Sequence, residues 1–427
     1  MIGCFMLLIM TRKLSAAVAL LLIPLVFGAL AGFGPQLGKM VGTGITQVAP
    51  IGITLMFAVL YFGLMLDVGL FDPLTRAMLR RVGNDPLRIA LGTTLLSTIV
   101  ALDGDGTSTA LVVIGAFLPI YQRLGMNPLV LLTLLGLTNS IMNMTPWAGP
   151  VARAASALHI DPNDIFLPML PTMGIGLAGC FVLAAHLGRR ERQRLGYAAR
   201  AAHAAPTPVP STAADTTGLR GHSRWRSYAN LLLTVALLAS VFTRAVPLPV
   251  AFMVGSALAL LLNFASPKEQ NARLAVHAHN CFFIMLLILC AGSFTGILNG
   301  SGMVDAMGQA LIAMIPAQAG PYMGIVTGLL SMPLTFLMSN DAYYFGVLPI
   351  LAKTAAAYGV PAVEVARASL IGIPVHTLSP LMASLYLVTA MLQLEIGPVQ
   401  RYAMKWAISC SLLLLLAAVA TGALSLL

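Results

Sequence analysis

Charge is what this sequence has least of. Only 9% of its 427 residues are charged, and acids are the scarcer sign, 14 against 24 basic residues. A soluble domain carries about a quarter charged residues, so a water-facing globular fold is excluded. Cysteine is also thin. Cys4, Cys180, Cys281, Cys290 and Cys410 form no CxxC and no ligand-spaced cluster. That argues against a disulfide scaffold or a zinc module and for small packed residues. No phosphate-binding glycine loop, nucleophile elbow or HExxH motif occurs, so ATP-driven and common hydrolytic mechanisms have no visible support. The net charge of +10 does not point to nucleic acid, because the arginines lie in short segments between apolar runs.

Those runs dominate the chain. It is 58% apolar with a mean hydropathy of +0.89, the signature of an all-α polytopic membrane protein. Apolar stretches predict spans at 14–34, 47–66 and 168–187 in the first half, and at 229–243, 249–265, 279–298 and 407–426 in the second. GPQLGKMVGTG (34–44) reads as a connection. Segments 69–81 and 302–315 are short, amphipathic and interfacial. Residues 1–10 are apolar but short for a span, so the first helix is truncated or the start lies upstream. Residues 188–227 are polar, basic and rich in Ala, Pro and Thr, which predicts a linker. It divides the chain into a first repeat (1–187) and a second (228–427).

The repeat shows in matched breaks. Leu118-Pro119-Ile120 recurs as Leu348-Pro349-Ile350, Pro150 falls opposite Pro380, Asp72 opposite Asp305, and Thr11-Arg12 opposite Thr243-Arg244. With the linker in the cytoplasm, 19 of the 24 basic residues fall inside and five, Lys39, Arg153, Arg244, Lys353 and Arg367, outside. This is the positive-inside bias. The same threading gives the two halves opposite orientations, the plan of a secondary transporter.

Each half has two interruptions at membrane depth. In the first, a hairpin over 86–121 turns at Asp103-Gly104-Asp105-Gly106, and a discontinuous helix over 129–158 breaks at Asn143 to Pro150 with Pro146, Gly149 and Pro150. In the second, apolar arms at 321–338 and 342–352 flank Ser339-Asn340-Asp341. A helix over 365–387 is interrupted between Gly372, Pro374 and Pro380. Irregular backbone at this depth survives only inside protein or beside a cavity, and intramembrane carboxylates mark ion pathways. Asp103, Asp105 and Asp341 are therefore the candidates for metal or proton coupling. Thr107, Ser108 and Thr109 either cap the returning arm or bind substrate, and helix starts aimed at the midplane attract anions. Asn139, Ser140, Asn143, Thr145, Ser339, Asn340, His376, Thr377 and Ser379 complete the substrate-binding set. His376 either packs as a hydrogen-bonded histidine or carries a proton. Trp147 reads as packing. No arginine is expected at either hairpin tip.

Met10-Thr11-Arg12-Lys13-Leu14-Ser15, Tyr61-Phe62-Gly63-Leu64-Met65-Leu66-Asp67, Gly69-Leu70-Phe71-Asp72-Pro73-Leu74 and Leu102-Asp103-Gly104-Asp105-Gly106-Thr107 resemble the bacterial citrate:cation symporters. The resemblance implies proton-driven uptake of citrate complexed with a divalent ion into a cell through its inner membrane. It also implies a homodimer with a fixed scaffold and a transport domain, 86–158 plus 319–387, that moves like an elevator. Binding is implied at the hairpin tips and helix breaks. Citrate is trivalent near neutral pH; pairing with a divalent ion leaves about one negative charge. Carboxylates suit magnesium or calcium, carried as cargo, with no prosthetic group. The alternatives are a proton- or sodium-coupled carrier for another carboxylate or an inorganic anion, a cation/proton antiporter, and, remotely, an intramembrane enzyme using Asp103 and Asp105 as acid and base.

The charge split carries a direct test. In a variant lacking the five native cysteines, Ala205→Cys should resist a membrane-impermeant thiol reagent in intact cells and react after lysis. Ready labelling in sealed cells would overturn the cytoplasmic linker.

Overall fold

The computed structural model describes residues 1–11, 13–104, 106–196, 224–314 and 317–425. Among them every regular element is helical, and eight helical stretches are long and apolar enough to cross a membrane. The first half runs α1 (Ile2–Met10), α2 (Ala16–Leu30), α3 (Leu37–Asp67), α4 (Asp72–Val82), α5 (Pro86–Val100), α6 (Gly106–Leu124), α7 (Pro128–Met142), α8 (Gly149–Leu158) and α9 (Pro162–Arg194). The second runs α10 (Arg224–Phe242), α11 (Leu248–Asn263), α12 (Pro267–Gly300), α13 (Met303–Met314), α14 (Met323–Leu337), a π turn (Ala342–Val347), α15 (Leu348–Ala356), α16 (Ala362–Ser369), α17 (Ile373–His376), α18 (Ala383–Leu392) and α19 (Ile396–Ala420). The order is the same twice over: lead-in helices, one very long helix, a short amphipathic helix, a hairpin, a broken helix and a closing helix.

Several helices outrun their apolar windows. Residues 37–44 of the expected connection are the first turns of α3. α9 starts at 162, where the Asp161 side chain accepts from the Asn163 amide at 2.7 Å, and ends at Arg194, inside the segment expected as linker. α12 starts at 267 behind Ser266, which accepts from the Glu269 amide. α19 begins at 396, not 407. Hydropathy marks only the part of a helix that lies in lipid, and at α9 and α12 a capping side chain sets where the helix starts. The linker's two ends are helical, to 194 and from 224, and residues 197–223 lie outside the described residues.

α3 and α12, one from each half, form the axis of a frame. Glycines let their backbones touch: a Cβ on Gly44 would fall 2.0 Å from the Gly292 carbonyl oxygen and 2.8 Å from the Gly296 Cα. Such spacing, Gly292, Gly296 and Gly300 on one helix, permits close packing in lipid. The lead-in helices are exchanged, α2 packing on α12 and α11 on α3, with α10 outside α11. The rest forms a second body: α5 lies on α7 and α9, α14 on α16 and α17, α6 on α7 and α18, and α9 on α19. The largest apolar core fills this body.

The two bodies meet mainly along α8, which touches both α3 and α12. Trp147, just before it, sits among Phe62 and Phe252, with ring centroids 5.8 and 5.4 Å away. Trp147 is thus a packing residue, at the seam between the bodies.

Gly44→Val should cost the frame about 1–3 kcal/mol or more, read as a lower melting temperature of the purified protein or loss of folded yield. Gly115→Ala, where a new Cβ meets nothing within 4 Å, should melt like the parent. Equal melting of both variants would contradict the glycine contact.

Candidate functional site

The first hairpin turns at Gly104, whose φ of 74° is left-handed and is the conformation for which glycine is suited. A single 3-10 turn, Ala101–Asp103, ends the incoming arm, and α6 restarts at Gly106. Asp103 is 5% exposed. Its carboxylate accepts from the Ser108 hydroxyl and, at 3.4 Å, from that of Thr109. Ser108 and Thr109 therefore turn inward to the first acid of the motif, while Thr107 beside them is exposed. Asp105 lies outside the described residues.

The first break holds this tip. The Trp147 indole N–H donates to the Leu102 carbonyl at 2.8 Å. A Cβ on Gly104 would meet Trp147 and Ala148, and one on Gly106 would lie 2.9 Å from Asn139 Nδ2. α7 ends at Met142, the Asn143 amide closing its last turn onto the Asn139 carbonyl at 2.9 Å. Thr145 and Pro146 form the turn, and α8 resumes with Gly149 and Pro150 in its first turn. Asn139 Oδ1 and Thr145 Oγ1 are buried without a hydrogen-bond partner.

The second break lies later than expected. Gly372 and Pro374 sit within continuous winding, α16 passing through a 3-10 turn (Leu370–Gly372) into α17, and the chain opens only at Thr377, staying irregular to Met382. Gly372 instead permits close approach, since a Cβ there would lie 2.5 Å from the Ser331 backbone of α14. Proline at the start of α17 is tolerated because the first turn of a helix lacks acceptors for its N–H groups. Pro380 lies in the true break and is exposed.

His376, 3% exposed, donates through Nδ1 to the Thr335 carbonyl of α14. That bond fixes the tautomer and leaves Nε2 as an acceptor, and Nε2 is buried without a partner. Ser379 is used internally, donating to the Phe336 carbonyl at 2.7 Å and accepting from the Leu381 amide. Ser140 Oγ lies 3.4 Å from Thr377 Oγ1, so the two broken helices meet. A cavity opens beside this meeting point, lined by Gly106, Asn139, Thr377 and Ser384.

At the second tip Ser339 accepts from the Ala342 amide at 3.2 Å, and Asn340 is half-buried. Asp341 is not alone. Its Oδ1 accepts from Arg153 Nε of α8 at 2.7 Å, with the two side chains 15% and 21% exposed. The Arg153 guanidinium lies over Gly149, where a Cβ would be 2.8 Å from it. This corrects one expectation: an arginine does reach a hairpin tip. Arg367 is likewise held inside, donating to the Asp164 and Ala423 carbonyls. The missed signal was position: Arg153 is the single charge of α8, four residues past the glycine that restarts the helix.

All four interruptions are therefore linked: tip one to break one through Trp147, break one to tip two through Arg153, break one to break two through Ser140, and break two to the arm of tip two through His376. Among the described residues no group of three or more His, Cys, Asp or Glu could hold a metal ion.

Comparison with known proteins gives an independent line. The citrate transporter family model matches residues 5–372. A citrate transporter of Bacillus subtilis (strain 168) is 46% identical over 421 residues, covering 99% of this chain and 97% of that protein. The Mg(2+)/citrate complex secondary transporter of the same organism is 43% identical over 422 residues, covering 99% and 96%. Among solved structures, the Alcanivorax borkumensis YdaH transporter superposes with a TM-score of 0.63 at 16% identity, over 97% of this chain and 98% of that one. Neisseria gonorrhoeae MtrF gives 0.56 at 14%, over 93% and 86%. At these identities the likeness shows the fold alone.

Proposed function

The chain belongs to the citrate transporter family, a multi-pass transporter of the bacterial inner membrane rather than an enzyme, and on that premise we propose that it takes up citrate complexed with a divalent cation, driven by protons. The observation that carries the reading is that side-chain contacts join both tips and both breaks, where Asn139 Oδ1, Thr145 Oγ1 and His376 Nε2 are buried without partners. Buried polar atoms without partners are costly. A ligand with hydroxyl, carboxylate and metal-bound water groups would satisfy them.

Charge favours the complex over the bare acid. Among the described residues the site offers one arginine, Arg153, against two carboxylates, Asp341 and Asp103, too little positive charge for a trivalent anion, whereas a metal complex of about one negative charge brings its own cation to the carboxylates. Magnesium or calcium, hard cations that take oxygen ligands, fit the donors; a relative named for an Mg(2+)/citrate complex supports magnesium. Protons would be carried by Asp103, Asp105 or His376.

Transport would move the hairpins and broken helices as one body, 86–158 with 319–387, against the frame of α3 and α12. We add α9 and α19 to the moving body, because they pack on α5, α7 and each other. The two halves would lie inverted in the membrane, each hairpin re-entrant, and two copies would associate through the frame.

Proteoliposomes with an imposed pH gradient test this. Labelled citrate should accumulate with magnesium and stay near background without a divalent ion. Asp103→Asn should reach the membrane normally and lose at least about tenfold in gradient-driven uptake, equivalent to ~1.4 kcal/mol. Uptake indifferent to divalent ions would refute the reading.

A further inference from the structure

Arg153 and Asp341 come from different halves of the chain, and among the described residues neither has another ionic partner in the site. Their pair sits where the first turn of α8 faces the second hairpin tip. His376 is tied to the arm of the same tip by its Nδ1 bond to the Thr335 carbonyl, and its Nε2 has no partner. Among the described residues the site thus holds one cation and one anion at the second tip, already satisfying each other, together with the first tip's buried Asp103 and the unpartnered acceptor His376 Nε2.

We propose that this pair is the receptor for the substrate, parting to admit a metal-bound carboxylate between its members. The Arg153 guanidinium takes a citrate carboxylate, for which its planar fork is suited. Asp341 takes the metal side of the complex, directly or through a metal-bound water, and His376 Nε2 accepts from such a water. The inference rests on the metal–citrate reading above and goes beyond it by naming how the site rejects the separate parts. Free citrate leaves Asp341 facing a carboxylate. A free divalent ion leaves Arg153 facing a cation. Only the complex presents both signs in the order the pair requires, which is specificity by repulsion as well as attraction.

The same device sets the coupling rule. Empty, the pair is closed and its charges compensate, so the moving body can return. Filled by the complex, each member again has an opposite partner. Half-filled, one charge is left unpaired inside protein at membrane depth, which is the expensive state. Movement is therefore restricted to the empty and fully loaded forms.

The experiment is titration calorimetry on the purified full-length protein, with citrate added in the presence of magnesium and then in its absence under chelation. The parent should bind the complex at least about tenfold more tightly than free citrate. Asp341→Asn leaves Arg153 unpaired, so the preference for the complex should fall at least about tenfold, through weaker binding of the complex, tighter binding of free citrate or both. A merely structural pair would weaken both forms equally and leave the ratio unchanged, which would overturn the proposal. Arg153→Lys keeps the charge and guards against a folding defect. It should melt like the parent without ligand yet lose affinity for the complex by about tenfold, since lysine lacks the fork; parent-like binding would also overturn it. The parent separates the two readings. If it binds no complex, the metal–citrate reading itself fails. If it binds the complex while Asp341→Asn keeps the parent's ratio, only the pair inference fails.

Discussion

Backbone polar groups cannot be left bare in lipid, and this constraint organises the site. Interrupting helices at membrane depth frees carbonyls that no helix turn will satisfy, and side chains take them. Trp147 donates to Leu102, His376 to Thr335, Ser379 to Phe336, and Gln400 of α19 to Leu378 at 2.8 Å. Each bond joins two different elements, so satisfying the backbone also fixes the tips against the breaks. The site proposed for the ligand lies among these repairs, where Asn139 Oδ1, Thr145 Oγ1 and His376 Nε2 remain buried without partners.

The frame obeys the same constraint by the opposite route. α3 and α12 are unbroken through 31 and 34 residues, satisfy their own backbone, and pack by glycine contact. Apolar packing gives helices little driving force in lipid, so close approach matters more there than in water. A rigid, self-satisfied frame beside an interrupted, cross-braced body is a division of labour suited to relative movement. The seam between them carries an aromatic group around Trp147, an ion pair from Arg244 to Asp164 at 2.8 Å, and His159 Nε2 3.3 Å from Asn299 Nδ2.

Much of this was legible in the chain. Asp103-Gly104 between two apolar arms announces a hairpin, because glycine and carboxylate in the middle of an apolar run have few other structural solutions. Asn143 to Pro150 announces a break for the same reason. Gly372 misled because a glycine and the following proline look like an interruption, whereas here one permits contact with Ser331 and the other opens a short helix. Arg153 entered only as a topology charge because nothing local names its partner, and Asp341 lies 188 residues away. Helix ends were misplaced wherever polar turns extend past the lipid, as at Leu37 and Pro267. Local chemistry shows where regularity fails; the pairing of those failures is a tertiary fact.

Movement of the interrupted body along the frame is the central claim, and the His159–Asn299 contact offers the most direct measurement. With the native cysteines removed, His159→Cys and Asn299→Cys can be joined by a short, reducible bis-thiol reagent, linking the α8–α9 corner to the end of α12. Magnesium-dependent citrate uptake in proteoliposomes should fall to background on crosslinking and recover on reduction, while equilibrium binding of the complex persists whenever the trapped state leaves the site open. Full uptake by fully crosslinked protein would show that the two bodies do not move past one another.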